Sequence, residues 1–274
     1  FEIDGVVVSE SPTYTWENIQ ADGVITAVFD PVIWHVDASR PNDGGDGRSW
    51  GTAMQSIQTA IDAAEEDDVI LVTDGIYAPI DAANKAVTIR SVNGADKTII
   101  DGGGMERCAT FGESDAVMEG FTLQNGYATE GGGAYGGTLT NCTLTGNSAR
   151  WYGGGAYNCC LDDCTLVGNT TLVASDEEGG ENANGDGDGE NIGRSGGGAY
   201  GCFLSNCSLT GNTATYGGGA YESTLINCTL SRNTAYYGGG TCGCFLSNCT
   251  LTGNSAEFGG GARGGEPCGG SRQL

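Results

Sequence analysis

Glycine triplets begin at Gly131, Gly153, Gly196, Gly217, Gly238 and Gly259, so successive steps are 22, 43, 21, 21 and 21 residues. The step of 43 is one repeat carrying an insertion. A second marker keeps the same beat: Cys142, Cys164, Cys207, Cys228 and Cys249 are separated by 22, 43, 21 and 21 residues. Two markers in phase define an array of similar units, and the unit length constrains the fold. About 21 residues with no helical stripe are too few for a four-stranded propeller blade and suit three short strands joined by tight turns. Such a unit cannot bury its apolar side alone, so units must stack roughly 4.8 Å apart, each strand pairing with its equivalent in the next rung. The predicted fold class is all-β: a right-handed parallel β-helix, or solenoid, of ~21-residue rungs.

One unit reads Gly-Gly-Gly-Ala-Tyr, a variable stretch, then Leu-x-Asn-Cys-Thr-Leu-Thr-Gly-Asn. Cys142 and Leu144 are two apart and share one face of a strand, and leucine belongs inside. Cys142, Cys164, Cys207, Cys228 and Cys249 therefore form a core ladder, with Phe121 in the same column one period earlier. Reduced cysteine packs there as a compact hydrophobe. Cys159, Cys202 and Cys244 form a second column where vertical disulfides are feasible, whereas Cys160, Cys242 and Cys268 fall in none. The asparagine column (Asn147, Asn169, Asn212, Asn233, Asn254) is assigned to turns, where asparagine tolerates left-handed backbone and can build amide ladders.

An open β-helix end exposes strand edges, so a cap is expected. Residues 52–65 supply an N-terminal capping helix: Thr52 and Gln55 fit a capping box, and Met54, Ile57, Ile61 and Ala64 share one face. Strands are expected at 69–72, 87–90 and 98–101. The domain reading is a small β-module at 1–31, a β-helix at 32–263 with an acidic insertion at 172–195, and a flexible tail at 264–274. The repeats stop after Ala262 without a cap.

Thirty-five acidic residues against eleven basic ones give a formal charge of −24, which opposes binding to nucleic acid or anionic membranes. No 18-residue apolar run is present, so direct membrane insertion by a helix is not expected. Catalysis finds few candidates. A glycosidase needs two facing carboxylates, and in the regular rungs only Asp162 and Asp163 are adjacent, aimed apart if both lie on a strand. The sole histidine, His35, reads as a surface residue at the domain junction. No catalytic residue is assigned.

Two binding candidates remain. In the insertion, Asn184, Asp186, Asp188 and Glu190 alternate oxygen donors with glycine and could ligate calcium, although a solvated, disordered loop is the preferred reading. Tyr135, Tyr157, Tyr200 and Tyr221 each follow a small inward alanine and should point outward as a ladder, able to bind sugar rings or a protein, or to stiffen the rod by stacking on one another. Tyr152, Tyr216, Tyr237 and Phe258 form a companion column before the triplets.

Residues 36–77, including Gly47-Arg48-Ser49-Trp50-Gly51-Thr52-Ala53, resemble the opening of bacterial right-handed β-helix repeat proteins. The later units, with Gly154-Gly155-Ala156-Tyr157 and Leu166-Val167-Gly168-Asn169, are similar to repeats of chlamydial polymorphic outer-membrane proteins. Ser11-Pro12-Thr13-Tyr14-Thr15 and the segment 21–29 resemble the C-terminal half of an internalin B-type repeat. These resemblances imply a secreted or cell-surface, adhesin-like protein and identify no ligand; a glycan or a host or cell-surface protein is the expected partner. The functional expectation is a non-enzymatic structural or adhesin-like module. The alternatives are a carbohydrate-active β-helix, as a polysaccharide lyase or glycoside hydrolase, and end-to-end self-assembly into a filament.

Overall fold

The computed structural model describes residues 30–171 and 194–264, with three short strands, Glu2–Ile3, Val6–Val7 and Ile25–Thr26, before them. The chain divides into two units, Phe1–Val32 and Ile33–Leu274. In the first, Glu2–Ile3 pairs antiparallel with both Val6–Val7 and Ile25–Thr26. The second is a parallel β-solenoid of about eight turns.

A single rung shows why. Ala134–Thr140 contributes to sheet 1, Thr143–Thr145 to sheet 2 and Ser148–Tyr152 to sheet 3. The corner between sheets 1 and 2 is Asn141 at φ 52°, a left-handed turn that asparagine accepts, and the column repeats it at Gly120, Asp163, Asn206, Asn227 and Asn248. The corner between sheets 3 and 1 is a glycine triplet. Gly153 has φ 60°, and a Cβ on Gly154 would collide with the carbonyl oxygens of Thr170 and Gly197 in adjoining strands. The triplet thus serves both turn geometry and close backbone approach.

In-register pairing then turns sequence columns into ladders. Leu139, Leu161, Leu204 and Leu225 stack inside sheet 1, and Leu144, Leu166, Leu209 and Leu230 inside sheet 2, all essentially inaccessible. Each such leucine contributes about 1.5–3 kcal/mol by leaving water. Sheet 3 presents the smaller Ala149, Thr171, Ala214 and Ala235 inward, which leaves room for the asparagine column.

Asn147, Asn169, Asn212 and Asn233 are wholly buried, and their backbone is not left-handed: the positive φ expected of them belongs to the Asn141 column instead. The residue before each one, Gly146, Gly168, Gly211 or Arg232, takes the left-handed conformation and turns the asparagine inward. The amide ladder itself forms. Asn169 donates its backbone N–H (2.9 Å) and side-chain Nδ2 (3.0 Å) to Asn212 Oδ1, and Nδ2 also reaches the Leu144 carbonyl at 2.9 Å. Asn147, Asn212 and Asn233 repeat the pattern.

The cysteine ladder is also inside, and its members are free thiols, as are Cys159, Cys202 and Cys244. Their Sγ atoms donate to backbone carbonyls, as Cys164 does to Leu139 (3.4 Å) and Asp162 (3.3 Å). Burial pushes the Cys108 and Cys244 thiols up to about 12. Cys242 differs in being disulfide-bonded.

At the N-terminal end the helix is shorter than its periodicity suggests. Residues Trp50–Thr52 form one 3₁₀ turn, and the α-helix α1 runs only over Ile57–Ala63. Its N-cap is Ser56, whose side chain accepts from the Thr59 N–H, not Thr52. The backbone before Ser56 is committed elsewhere: Met54 exchanges hydrogen bonds with His35 and Asp37, and Asp43 Oδ1 accepts from the N–H groups of Gln55 and Ser56 at 2.7 and 2.6 Å. Ile57, Ala60 and Ile61 are buried as α1 packs on the first strands of sheet 1, and Lys85 Nζ ties its C-terminal end by donating to the carbonyls of Ile61, Asp62 and Ala64. Strands 69–72 and 98–101 fall where expected, and the third is Thr88–Ser91. Among the described residues no helix is long and apolar enough to cross a membrane.

Candidate functional site

The glycine corner sets two residues of each rung against one another across the triplet. The alanine after it points inward, so the next residue points out. The one before it ends sheet 3 and points out as well. Pairing places Tyr135, Tyr157, Tyr200 and Tyr221 in one column and Tyr152, Tyr216, Tyr237 and Phe258 in a second, with Ser195 standing between Tyr152 and Tyr216. The two columns meet over the corner.

The rings stack continuously. Centroids lie 5.4 Å apart for Tyr135–Tyr157 and Tyr157–Tyr200, and 5.3 Å for Tyr200–Tyr221, with the last two pairs within 17° of parallel. In the second column Tyr216–Tyr237 and Tyr237–Phe258 are at 5.0 and 5.3 Å. Where Ser195 supplies no ring, Tyr152 leans across to Tyr200 at 4.7 Å and closes the gap. Guanidinium groups cover the ends: Arg107 lies 5.1 Å from the Tyr135 centroid, held by the Glu130 and Gly131 carbonyls, and Arg263 lies 4.2 Å from Tyr237. Within the ladder ring faces are therefore occupied by other rings or by arginine, whereas Phe258 at its C-terminal end is 45% exposed. Solvent meets edges and hydroxyls.

Exposure differs along the ladder. Tyr135, Tyr157 and Tyr200 are half-buried, but Tyr221 is wholly buried beside Cys242, with Tyr200 and Tyr216 packed against the pair. The expectation that Tyr221 faces solvent is corrected. The column also continues past it, through Cys242 and Arg263, so Cys242 belongs to a column after all. Counting from the triplets would have found this, since Cys242 follows Gly238 at the offset by which Tyr221 follows Gly217. Burial, with the Glu222 carboxylate adding to it, raises the phenols of Tyr200 and Tyr221 well above the ordinary value of 10.0. Glu222 Oε2 accepts a long hydrogen bond from the Tyr200 hydroxyl, 3.4 Å.

The other candidates do not converge on this edge. Asp162 lies on a sheet 1 strand and accepts from Ser205 and Asn206, whereas Asp163 is the left-handed corner residue at φ 51°. His35 packs edge-on against Trp50 and contacts the Gly47 carbonyl through Nδ1. Cys160 is exposed, in a column with Thr138 and Phe203. Among the described residues no three of His, Cys, Asp and Glu gather to hold a metal ion. Asn184, Asp186, Asp188 and Glu190 lie outside the described residues.

No protein-family model and no curated protein matches the sequence. Solved structures with a similar chain path include pectate lyase Pel9A (15% identity, 73% of this chain and 54% of that one, TM-score 0.48). Pectin methylesterase PemA from Erwinia chrysanthemi shares 14% identity over 84% of this chain and 68% of its own, with a TM-score of 0.38. A rhamnogalacturonan lyase shares 13% over 85% and 62%, with a TM-score of 0.40. The chain thus spans about half the length of the pectate lyase. No residue role is carried over from these structures.

Proposed function

We propose that this chain is a rigid, non-enzymatic structural module of a secreted or surface-exposed protein, in which the aromatic edge acts as a stiffening spine. The observation that carries this reading is the occupancy of the ring faces. A sugar-binding platform presents an aromatic face to the pyranose, whereas here tyrosines stack on tyrosines and arginines lie over Tyr135 and Tyr237. The disulfide at Cys242, which suits an oxidising compartment, supports an extracellular setting.

The test is a variant with Tyr135, Tyr157 and Tyr200 all replaced by leucine, compared with the unaltered chain on a glycan array and in urea unfolding. The array is run with and without calcium, because Asn184, Asp186, Asp188 and Glu190 carry oxygen donors. A spine predicts a lower unfolding midpoint and the same array profile. Saturable glycan binding by the unaltered chain that the folded variant loses overturns the reading in favour of a carbohydrate-recognition edge.

A further inference from the structure

The outward column that runs Tyr135, Tyr157, Tyr200, Tyr221, Cys242 and Arg263 changes its burial abruptly. Its first three tyrosines are half-buried, as outward positions should be, yet Tyr221 and Cys242 are both 0% exposed. The neighbours along the column predict the opposite. Tyr200 stacks on one face of Tyr221 at 5.3 Å and Tyr216 meets it edge-on at 6.3 Å, but the next rung offers only the small Cys242 side chain, which cannot cover a phenol ring. The following residue of the column, Arg263, directs its guanidinium over Tyr237 instead. A further part of the chain therefore lies over Tyr221 and Cys242.

The cysteines say which part. The sequence holds twelve, of which ten are free thiols, and Cys242 is disulfide-bonded. The one cysteine that remains is Cys268, four residues beyond the last described residue. A thiol of a second molecule would have to reach Cys242 from solvent, and Cys242 has no accessible surface in the single chain. The chain is also in the right place to turn back. Arg263 pairs with Cys242, which sets their α-carbons roughly 4.8 Å apart. The five residues from Arg263 to Cys268 can span up to roughly 17 Å, ample for the roughly 4.4–6.8 Å between α-carbons that a disulfide requires. Gly264-Gly265 followed by Glu266-Pro267 is a sequence suited to a reversal of direction.

We propose that residues 265–274 dock on the C-terminal stretch of the aromatic edge, held over Tyr221 by a disulfide between Cys242 and Cys268. The edge is then an interaction surface whose occupant is the chain's own tail. Closure joins the two thiols in one S–S bond, and the two hydrogens lost pass to an external disulfide, which leaves as two thiols. The proposal adds to the stiffening role of Tyr135, Tyr157 and Tyr200 and does not rest on it.

The test begins with the unaltered full chain, alkylated in denaturant without reductant and digested with trypsin. The expected product is one linked species joining residues 264–272 to residues 233–263, in which Cys244 and Cys249 carry the alkyl group and Cys242 does not. Recovery of residues 264–272 alkylated at Cys268, or linked to any other cysteine, overturns the proposal. The second arm reads docking by hydroxyl-radical oxidation followed by mass spectrometry. Oxidation of Tyr221 is low in the unaltered chain and rises several-fold in the full-length Cys268→Ser variant, while that of Tyr135, at the far end of the column, does not change. Equal oxidation of Tyr221 in the two chains overturns the docking. Neither arm involves glycan binding or substitution of the ladder tyrosines, so failure here is distinct from failure of the spine reading.

Discussion

The aromatic edge and the hydroxyl face of sheet 2, where Thr143, Thr165 and Thr229 share an outward column, are built by the same rule, one residue per rung repeated in register, and end in different conditions. On the edge, large side chains meet their own neighbours: Tyr157 and Tyr200 stack at 5.4 Å and leave little surface to offer. On sheet 2, the short side chains of Thr143 and Thr165 make no such stack, although Thr210 and Ser231 share a hydrogen bond between rungs at 3.1 Å. Periodicity alone thus does not make a binding surface. Large rings fill the space between rungs along the whole edge, whereas the short hydroxyl side chains do so only where Thr210 meets Ser231.

The comparison is broken most severely from the inside, where both regions share one support. Asn212→Ala removes an acceptor used twice by Asn169 and two donors of its own, and it should cost about 3 kcal/mol or more in urea unfolding, loosening edge and face together. Next comes the edge itself. Tyr157→Ala should cost about 2 kcal/mol, from lost burial and two stacking partners. Thr165→Ala and Thr229→Ala on the hydroxyl face should stay within about 0.5 kcal/mol, and an equal cost at both sites would erase the distinction.

Titration sharpens the same contrast. The folded phenol of Tyr200 ionises above its unfolded value of 10.0, so its stabilisation is complete below that pH and drains away as pH rises beyond it. Unfolding midpoints should fall between about pH 9 and about pH 11, and fall less in Tyr200→Phe, while threonine variants track the unaltered chain. The smallest effect is chemical. Exposed Cys160 should react with a thiol reagent in the native state and buried Cys108 should not, so Cys160→Ser removes the native reactivity assigned to this site without shifting the midpoint.

Much of this architecture was legible in the residues, because β-periodicity ties a column's chemistry to its face. Cys142 and Leu144 two apart placed the core ladder, and the strands at 69–72 and 98–101 followed from apolar alternation. What stayed hidden depended on contacts distant in sequence. Helical spacing from Met54 could not reveal that Met54 is bridged to Val36, which delays α1 to Ile57. The asparagine column offered a ladder or a left-handed turn. Only the path of the rung shows that Asn141 turns and Asn147 is buried. For the candidate site, outward tyrosines could be read, but the burial of Tyr221 against Cys242 and the clamping of the ladder by Arg107 and Arg263 could not.

The rung that carries the insertion has a further consequence. Asn169 meets Asn212 and Thr170 pairs with Thr213 although each pair is 43 positions apart along the chain, and Ser195 bridges Tyr152 to Tyr216 where the repeat resumes. The sheet 3 strand is therefore a socket between Thr171 and Ser195: new sequence enters there without altering the register on either side. A lineage, or an engineer, could lengthen the rod by copying rungs and graft a peptide within this strand as two independent operations.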